Sequence, residues 1–210
     1  MSNAYDLSQH TLWLGDAPPD WEPAWLVEHI WQVNGLSFMS GSPKAHKSIL
    51  RRYCMACALA KQPVFEVLEV QQPVERILIF LAEDHPGAER KQLDAILDAF
   101  GMAPAADRVC FVRPHGFVFN RRNHCDGLLK FLEQEPFDLI AWDPFIRFHT
   151  SAENDSKEMS DVFRFLDIIK QEHTLSMIHH ASKPNNQQGK DRRTTGEKSR
   201  GSSTIPAAAD

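Results

Sequence analysis

Residues 41–48 have the types and spacing of a phosphate-binding loop. They read Gly-Ser-Pro-Lys-Ala-His-Lys-Ser, close to the pattern G-x-x-x-x-G-K-[ST]. In such a loop, backbone N–H groups and the N-terminus of the following helix surround a phosphate. Lys47 would neutralise the terminal phosphates, and the hydroxyl of Ser48 would bind Mg²⁺. The alternative is an ordinary strand–turn–helix with a lysine at the start of its helix.

One position departs from this pattern, because His46 stands where the second glycine is expected. Glycine suits that position since it tolerates a left-handed backbone. Histidine is among the non-glycine residues found more often at positive φ, so we expect the loop to close. The predicted nucleotide-binding residues are Gly41, Ser42, Pro43, Lys44, Ala45, His46, Lys47, Ser48 and Ile49.

Two carboxylates follow short apolar runs further along the chain. Glu83 comes after residues 76–81, and a carboxylate beside a phosphate site can polarise an attacking water. Glu83 could instead cap the next helix, where acidic residues are favoured. Asp143 ends the run 139–142, which is the Walker B pattern of a carboxylate that holds Mg²⁺, usually through water.

His179 and His180 follow the last apolar run, residues 175–178. One of them could sense a terminal phosphate, or both could be structural residues at the end of a strand. A zinc site would need a further ligand that the sequence does not indicate. The next stretch, 183–200, is polar, with more basic than acidic residues. Candidate contacts to nucleic-acid phosphates are Lys183, Lys190, Arg192 and Arg193, and the alternative is a solvated loop.

The order of elements predicts how these residues are positioned. Short apolar runs are typical of strands in a parallel sheet covered on both faces, whose ligands bind at the carboxyl ends of the strands. We therefore predict an α/β fold with a mostly parallel sheet flanked by helices on both faces. The predicted strands are 36–40, 76–81, 109–112, 139–142 and 175–178; the predicted helices are 25–30, 47–60, 87–100, 125–132 and 159–169. Residues 1–24 are predicted to be an irregular lead-in, and 25–210 a single domain.

Composition narrows the class of protein. The 210 residues carry a formal net charge of -5, which excludes an overall basic coat for nucleic acid but allows a basic loop. No apolar run reaches the ~18 residues that suggest a membrane span, and the N-terminus lacks the blocks of a signal peptide. With only four cysteines, we expect a cytoplasmic protein without membrane association. Cys54 and Cys57 are interpreted as one buried helix face rather than a zinc half-site.

Taken together and in order, the motifs resemble those of one family. They are residues 41–48, 81–84, 142–149, 153–154, 179–183 and 200–203. The combination resembles the RepA-type hexameric plasmid helicases and related phage and bacterial AAA-family ATPases of the RecA fold. The resemblance covers about residues 25–209, nearly the whole chain.

The resemblance implies roles for individual residues. Lys47 and Ser48 would bind phosphate and Mg²⁺, Glu83 would be the catalytic glutamate, and Asp143 the Walker B aspartate. His179 or His180 would be the sensor of the γ-phosphate. Lys198 and Arg200 are similar to the finger residues that reach into a neighbouring subunit's site. This implies ATP and Mg²⁺ as cofactors and a homo-oligomer, a ring hexamer in the full-length form. Because the family continues with further strands, we expect the chain to be truncated at its C-terminal end.

Three functions fit these motifs. The first is an ATP-driven motor or loader acting on single-stranded DNA in replication. The second is a recombination or repair ATPase that forms a filament. The third is a nucleotide-gated interaction module with little turnover, which the histidine at position 46 and the early C-terminus favour. Hydrolysis measured with and without single-stranded DNA separates the motor from the module.

Overall fold

The computed structural model describes residues 13–17, 20–150 and 156–180, and its elements confirm the predicted α/β alternation. The strands are β1 (Trp25–Val27), β2 (Trp31–Gln32), β3 (Leu36–Gly41), β4 (Ile77–Leu81), β5 (Val109–Val112), β6 (Leu139–Asp143) and β7 (Thr174–His180). The α-helices are α1 (Lys47–Ala60), α2 (Pro86–Ala99), α3 (Arg122–Gln134) and α4 (Ser156–Lys170), with 3-10 turns at Leu14–Asp16 and Phe145–Phe148. None of the helices within these ranges is long and apolar enough to cross a membrane.

The main sheet has five parallel strands in the order β3-β7-β6-β4-β5. Every connection between them is a crossover, as parallel pairing requires. Their carboxyl ends consequently share one edge of the sheet. At that edge the register pairs Gly41 with His180 and Leu81 with Asp143. Among the strands that the structure describes, β3 pairs with β7 alone and so lies at the border of the sheet.

Helices cover both faces of this sheet, as the apolar strands predict. Because side chains alternate along a strand, Leu78 and Phe80 of β4 face one core while Ile77 and Ile79 face the other. The first core packs against α3 and α4, and the second against α1 and α2. The strands are therefore held rigidly from both sides, which fixes the positions of their carboxyl ends.

The predicted helix over residues 25–30 is wrong. Trp25–Val27 forms strand β1, which pairs antiparallel with β2, and Val27 also bridges to Val70. Leu26 and Val27 are both buried, although they occupy neighbouring positions, because a register irregularity lies between Trp25 and Val27. The tryptophan and valine content suits a strand, and pairing with residues far along the chain overrides the local helical pattern.

The interpretation of Cys54 and Cys57 as a buried helix face is confirmed. Both lie in α1, both are almost fully buried, and both are free thiols. Burial raises the pKa of Cys54 to about 12, with a smaller contribution from the neighbouring Cys57. The thiols are consequently protonated at neutral pH and serve as small apolar groups in the core.

Candidate active site

The carboxyl ends of four neighbouring strands, β3, β7, β6 and β4, meet at one pocket of about 240 Å³. The phosphate-loop segment and the N-terminus of α1 form one wall, and the residues after β4 and β6 form the other. The lining residues are Lys44, Ala45, His46, Lys47, Ser48, Ile49, Glu83, Asp84, Asp143, Ile178 and His180. The structure thus brings nine of the thirteen predicted site residues that it describes to one place.

Lys47 is the buried cation of this pocket, with only 7% of its surface exposed. Its Nζ donates to the carbonyl oxygens of Gly41 and Ser42, both at 2.9 Å, and lies 3.4 Å from Nδ1 of His180. Burial lowers the pKa of Lys47, while the negative charge of Asp143 partly opposes that shift. Through its two hydrogen bonds to loop carbonyls, the side chain of Lys47 holds the loop in a curled conformation.

His46 adopts the left-handed conformation that its position in the motif demands. Its φ is 57° and its ψ is 25°, immediately before the first residue of α1. Lys44 also has a positive φ, 65°. The expectation that a histidine tolerates the left-handed backbone at this position is thereby confirmed. Within the described residues, no side chain caps α1, so its first N–H groups are left without a side-chain acceptor and can donate to an anion.

Ser48 and Asp143 meet across the pocket. The Ser48 hydroxyl donates to Oδ2 of Asp143 at 2.9 Å, and the Asp143 residue is 8% exposed. A hydroxyl next to a carboxylate is an oxygen donor set of the kind that Mg²⁺ binds, usually with water and phosphate completing its shell. The residues therefore fit the predicted metal. Ser48 and Asp143 are the ones that would hold it.

Glu83 lies at the mouth of the pocket, with 53% of its side chain exposed. Its carboxylate pairs with Nε of Arg147 at 3.4 Å. The alternative role as a helix cap does not fit, because α2 begins at Pro86 and its cap is His85, whose Nδ1 accepts from the N–H of Gly87. Glu83 therefore lines the pocket without capping α2.

The alternation of β7 separates the two histidines. His180 lines the pocket beside Lys47. His179 is 1% exposed and packs edge-on near the ring of Phe38, 6.4 Å between centroids. The structure therefore favours His180 over His179 as a group that faces a bound phosphate.

A chain of ion pairs next to the pocket was not predicted from the sequence. Nη1 of Arg51 donates to Oδ2 of Asp143 at 2.7 Å, and its Nη2 pairs with Glu89 of α2. The other oxygen of Glu89 accepts from Nε of Arg52 at 2.7 Å. A signal was present, because Arg51 follows Ser48 at i,i+3 spacing and so shares the helix face that looks towards Asp143.

Six of the predicted residues cannot be placed. They are Lys183, Lys190, Arg192, Arg193, Lys198 and Arg200, which lie outside the described residues. Their predicted contacts to DNA and to a neighbouring subunit stay predictions.

A larger pocket of about 660 Å³ lies elsewhere, between α3 and α4. It is lined by residues such as Asp126, Asp161 and Arg164 and contains none of the predicted site residues. Chemistry rather than volume therefore identifies the site at the sheet edge.

Comparison with known proteins agrees with that chemistry. Residues 5–186 match the family model described as AAA domain, which is most of the chain. None of the proteins with curated functions matches this sequence. A buried lysine at a left-handed loop, a helix N-terminus and a hydroxyl–carboxylate pair are the parts that such a domain needs to handle a nucleoside triphosphate. The chain belongs to the AAA domain family and is a P-loop ATPase.

Proposed function

We propose that this ATPase is a motor or loader that acts on single-stranded DNA during replication, with ATP and Mg²⁺ as its cofactors. The observation that carries the ATPase part is the convergence of Lys47, Ser48, Asp143 and Glu83 at one sheet edge. The resemblance of the motif order to RepA-type helicases supports the finer assignment to DNA replication.

Each residue of the pocket has a defined task in this proposal. Lys47 exchanges its carbonyl partners for the terminal phosphates, and the N–H groups that begin α1 donate to the same anion. Ser48 and Asp143 would hold Mg²⁺, which would supply positive charge to the phosphates. Glu83 orients and polarises the attacking water from the mouth of the pocket. His180 would sense the phosphate, because its Nδ1 lies 3.4 Å from the ammonium of Lys47, which would bind that phosphate.

A basic segment after β5 supports contact with nucleic acid. It exposes Arg113, Arg121 and Arg122, of which Arg122 also pairs with Asp126 at 3.9 Å, and the sequence has no acidic residue between Asp107 and Asp126. Local positive charge of this kind attracts phosphates although the whole chain is acidic. Together with the predicted contacts at Arg192 and Arg193, it would track the backbone of a single strand.

Exposed apolar residues beside the pocket support an assembly of several copies. Ile49 is 53% exposed and Leu50 is 38% exposed, both in the first turn of α1. In a homo-oligomer this turn would face the neighbouring subunit that contributes Arg200. A ring hexamer is the arrangement that the resemblance implies.

The rate of ATP hydrolysis, measured with and without single-stranded DNA, tests the proposal. A motor or loader should hydrolyse ATP faster when DNA is present. Neutralising Arg192 and Arg193 should then weaken DNA binding for all sequences and flatten its dependence on salt. Hydrolysis that ignores DNA would refute the assignment to DNA while leaving the ATPase intact.

The pair between Glu83 and Arg147 favours a second candidate, a nucleotide-gated module with little turnover. An arginine bound to the proposed catalytic carboxylate competes with water for it. Arg147→Gln distinguishes the candidates. Faster hydrolysis in that variant indicates that the pair restrains turnover, whereas an unchanged rate indicates that the exposed pair opens freely in the active enzyme.

A further inference from the structure

The first turns of α1 reverse the usual pattern of an amphipathic helix. The apolar Ile49 and Leu50 are exposed, while the charged Arg51 and Arg52 are buried, at 1% and 6% exposure. Removing a guanidinium from water is costly unless its hydrogen bonds are replaced. Arg51 therefore calls for a specific explanation, because an apolar side chain would fill the same space at less cost.

The contacts of Arg51 lead directly to Ser48 and Asp143, the pair that would hold Mg²⁺. Its guanidinium spans two carboxylates, Asp143 on β6 and Glu89 on α2. Ser48 and Arg51 both donate to the same oxygen of Asp143, Oδ2, at 2.9 Å and 2.7 Å. Among the described residues none donates to Oδ1. One oxygen of the carboxylate is thus fixed, and the other is left for an external ligand.

We propose that Arg51 is a positioning residue for Asp143, anchored in turn by Glu89. Nη1 of Arg51 binds Oδ2 of Asp143, and its Nη2 is anchored by Glu89. Arg51 thereby fixes the rotation of the Asp143 carboxylate before Mg²⁺ and nucleotide bind. This inference rests on the nucleotide site of the proposed function and is independent of DNA.

The fork of the guanidinium is what makes this role specific. Arginine can reach two carboxylates with separate nitrogens in a fixed plane, whereas lysine presents a single ammonium. A partner that orients a metal-binding group typically contributes about 10–100-fold to metal affinity. If Arg51 acted only as a positive charge, its loss would instead strengthen the binding of a cation next to Asp143.

The test compares the dissociation constant of a fluorescent ATP analogue in Mg²⁺ and in EDTA for the full chain. For Arg51→Met, the affinity in Mg²⁺ is expected to fall about 10–100-fold. The affinity in EDTA should not change, because Lys47 and the start of α1 remain. Arg51→Lys should behave like Arg51→Met, since lysine cannot hold both carboxylates. Glu89→Gln should also lower the affinity in Mg²⁺, although Arg51 itself is still present.

Arg52→Met is the matched control, because Arg52 pairs with Glu89 at 2.7 Å and with Asp84 at 3.6 Å but does not contact Asp143. It removes a buried arginine from the same helix, so it should lower the thermal stability while keeping the Mg²⁺ dependence. If Arg51→Met does not fold, Arg51→Lys and Glu89→Gln decide the question. Three results would overturn the proposal. The first is wild-type affinity in Mg²⁺ for Arg51→Lys, and the second is an unchanged or stronger response to Mg²⁺ in Arg51→Met. The third is a loss of affinity in Mg²⁺ in Arg52→Met equal to that in Arg51→Met. Loss in the Arg51 and Glu89 variants alone supports it.

Discussion

The charge of Lys47 is already engaged in the structure, since its ammonium binds two carbonyl oxygens of the loop and lies near His180. Nucleotide binding must exchange these contacts for phosphate oxygens. The exchange is favourable because a charge-assisted bond to phosphate is stronger than one to a neutral carbonyl. The loop is therefore preorganised by the same residue that later binds the ligand.

Lys47→Ala is expected to abolish ATP binding, because it removes both the buried counter-charge and the tie that curls the loop. Titration with a fluorescent ATP analogue measures the effect. Lys91→Ala, which changes an exposed lysine on α2, is the control and should bind like the wild type. Equal affinity of Lys47→Ala and the control would remove the assignment of the phosphate loop.

Glu83→Gln should keep ATP binding and lose turnover, because an amide cannot accept a proton from water. General-base catalysis is typically worth about 10²–10⁴-fold, so a loss of that size is expected in a single-turnover assay. Glu133→Gln alters an exposed glutamate of α3 and serves as the control. Turnover of Glu83→Gln equal to that of Glu133→Gln would show that another group activates the water.

Among the elements, α1 shows most clearly what the sequence can and cannot predict. Its bounds, Lys47–Ala60, follow from the apolar spacing together with the phosphate-loop motif before it. The burial of Arg51 and Arg52 does not follow, because charged residues on such a helix normally lie on its solvated face. Carboxylates on other elements, Glu89 on α2 and Asp143 on β6, replace the hydrogen bonds that these arginines lose to water, and their positions depend on tertiary packing.

The strands also show which features the sequence can and cannot predict. Wholly apolar runs predicted β4 and β6, and with them the placement of Glu83 and Asp143 at strand ends. The assignment of β1 failed, because a short run with tryptophan and valine gives a similar pattern in a helix and a strand. The choice between His179 and His180 needed the phase of β7, which only the pairing with β3 and β6 reveals.

The loop before α1 provides a prediction about the backbone. His46 is exposed and left-handed, and that conformation costs a residue with a Cβ about 1–2 kcal/mol. His46→Gly should therefore raise the thermal midpoint slightly, by about 2–4 °C for each kcal/mol gained in a domain of this size. The greater freedom of glycine in the unfolded chain offsets part of that gain.

His46→Ala is the companion variant, because alanine lacks the tolerance of histidine for this region. It should melt below the wild type, and ATP binding should persist in His46→Gly. A midpoint of His46→Gly below that of His46→Ala would contradict the backbone cost at this position. A midpoint of His46→Gly below the wild type but above His46→Ala would mean that the imidazole makes a stabilising contact of its own.

For the whole molecule, the central expectation is that one subunit completes the site of another. An arginine finger is worth roughly a thousandfold or more in rate. Turnover should then rise with protein concentration, since a monomer lacks a finger in its own site. A mixture of Arg200→Ala with Lys47→Ala should regain activity, because the second protein donates the finger to the intact loop of the first.

Each variant alone should be inactive in that experiment. A mixture no more active than the sum of its parts would indicate that Arg200 acts within its own subunit. Activity of Arg200→Ala alone at the wild-type rate would show that it is no finger.

The border position of β3 has a consequence for hydrogen exchange. This strand ends in Gly41 and leads into the loop, yet it is paired with β7 alone among the described strands, whereas β4 and β6 are each flanked on both sides. Border strands open locally at a lower free energy than central ones. Deuterium uptake at β3 and residues 42–46 should therefore be fast without nucleotide and slow sharply when ATP binds. The amides of β4 and β6 should exchange slowly in both states. The local opening of β3 would then be coupled to the binding of ATP at residues 42–46.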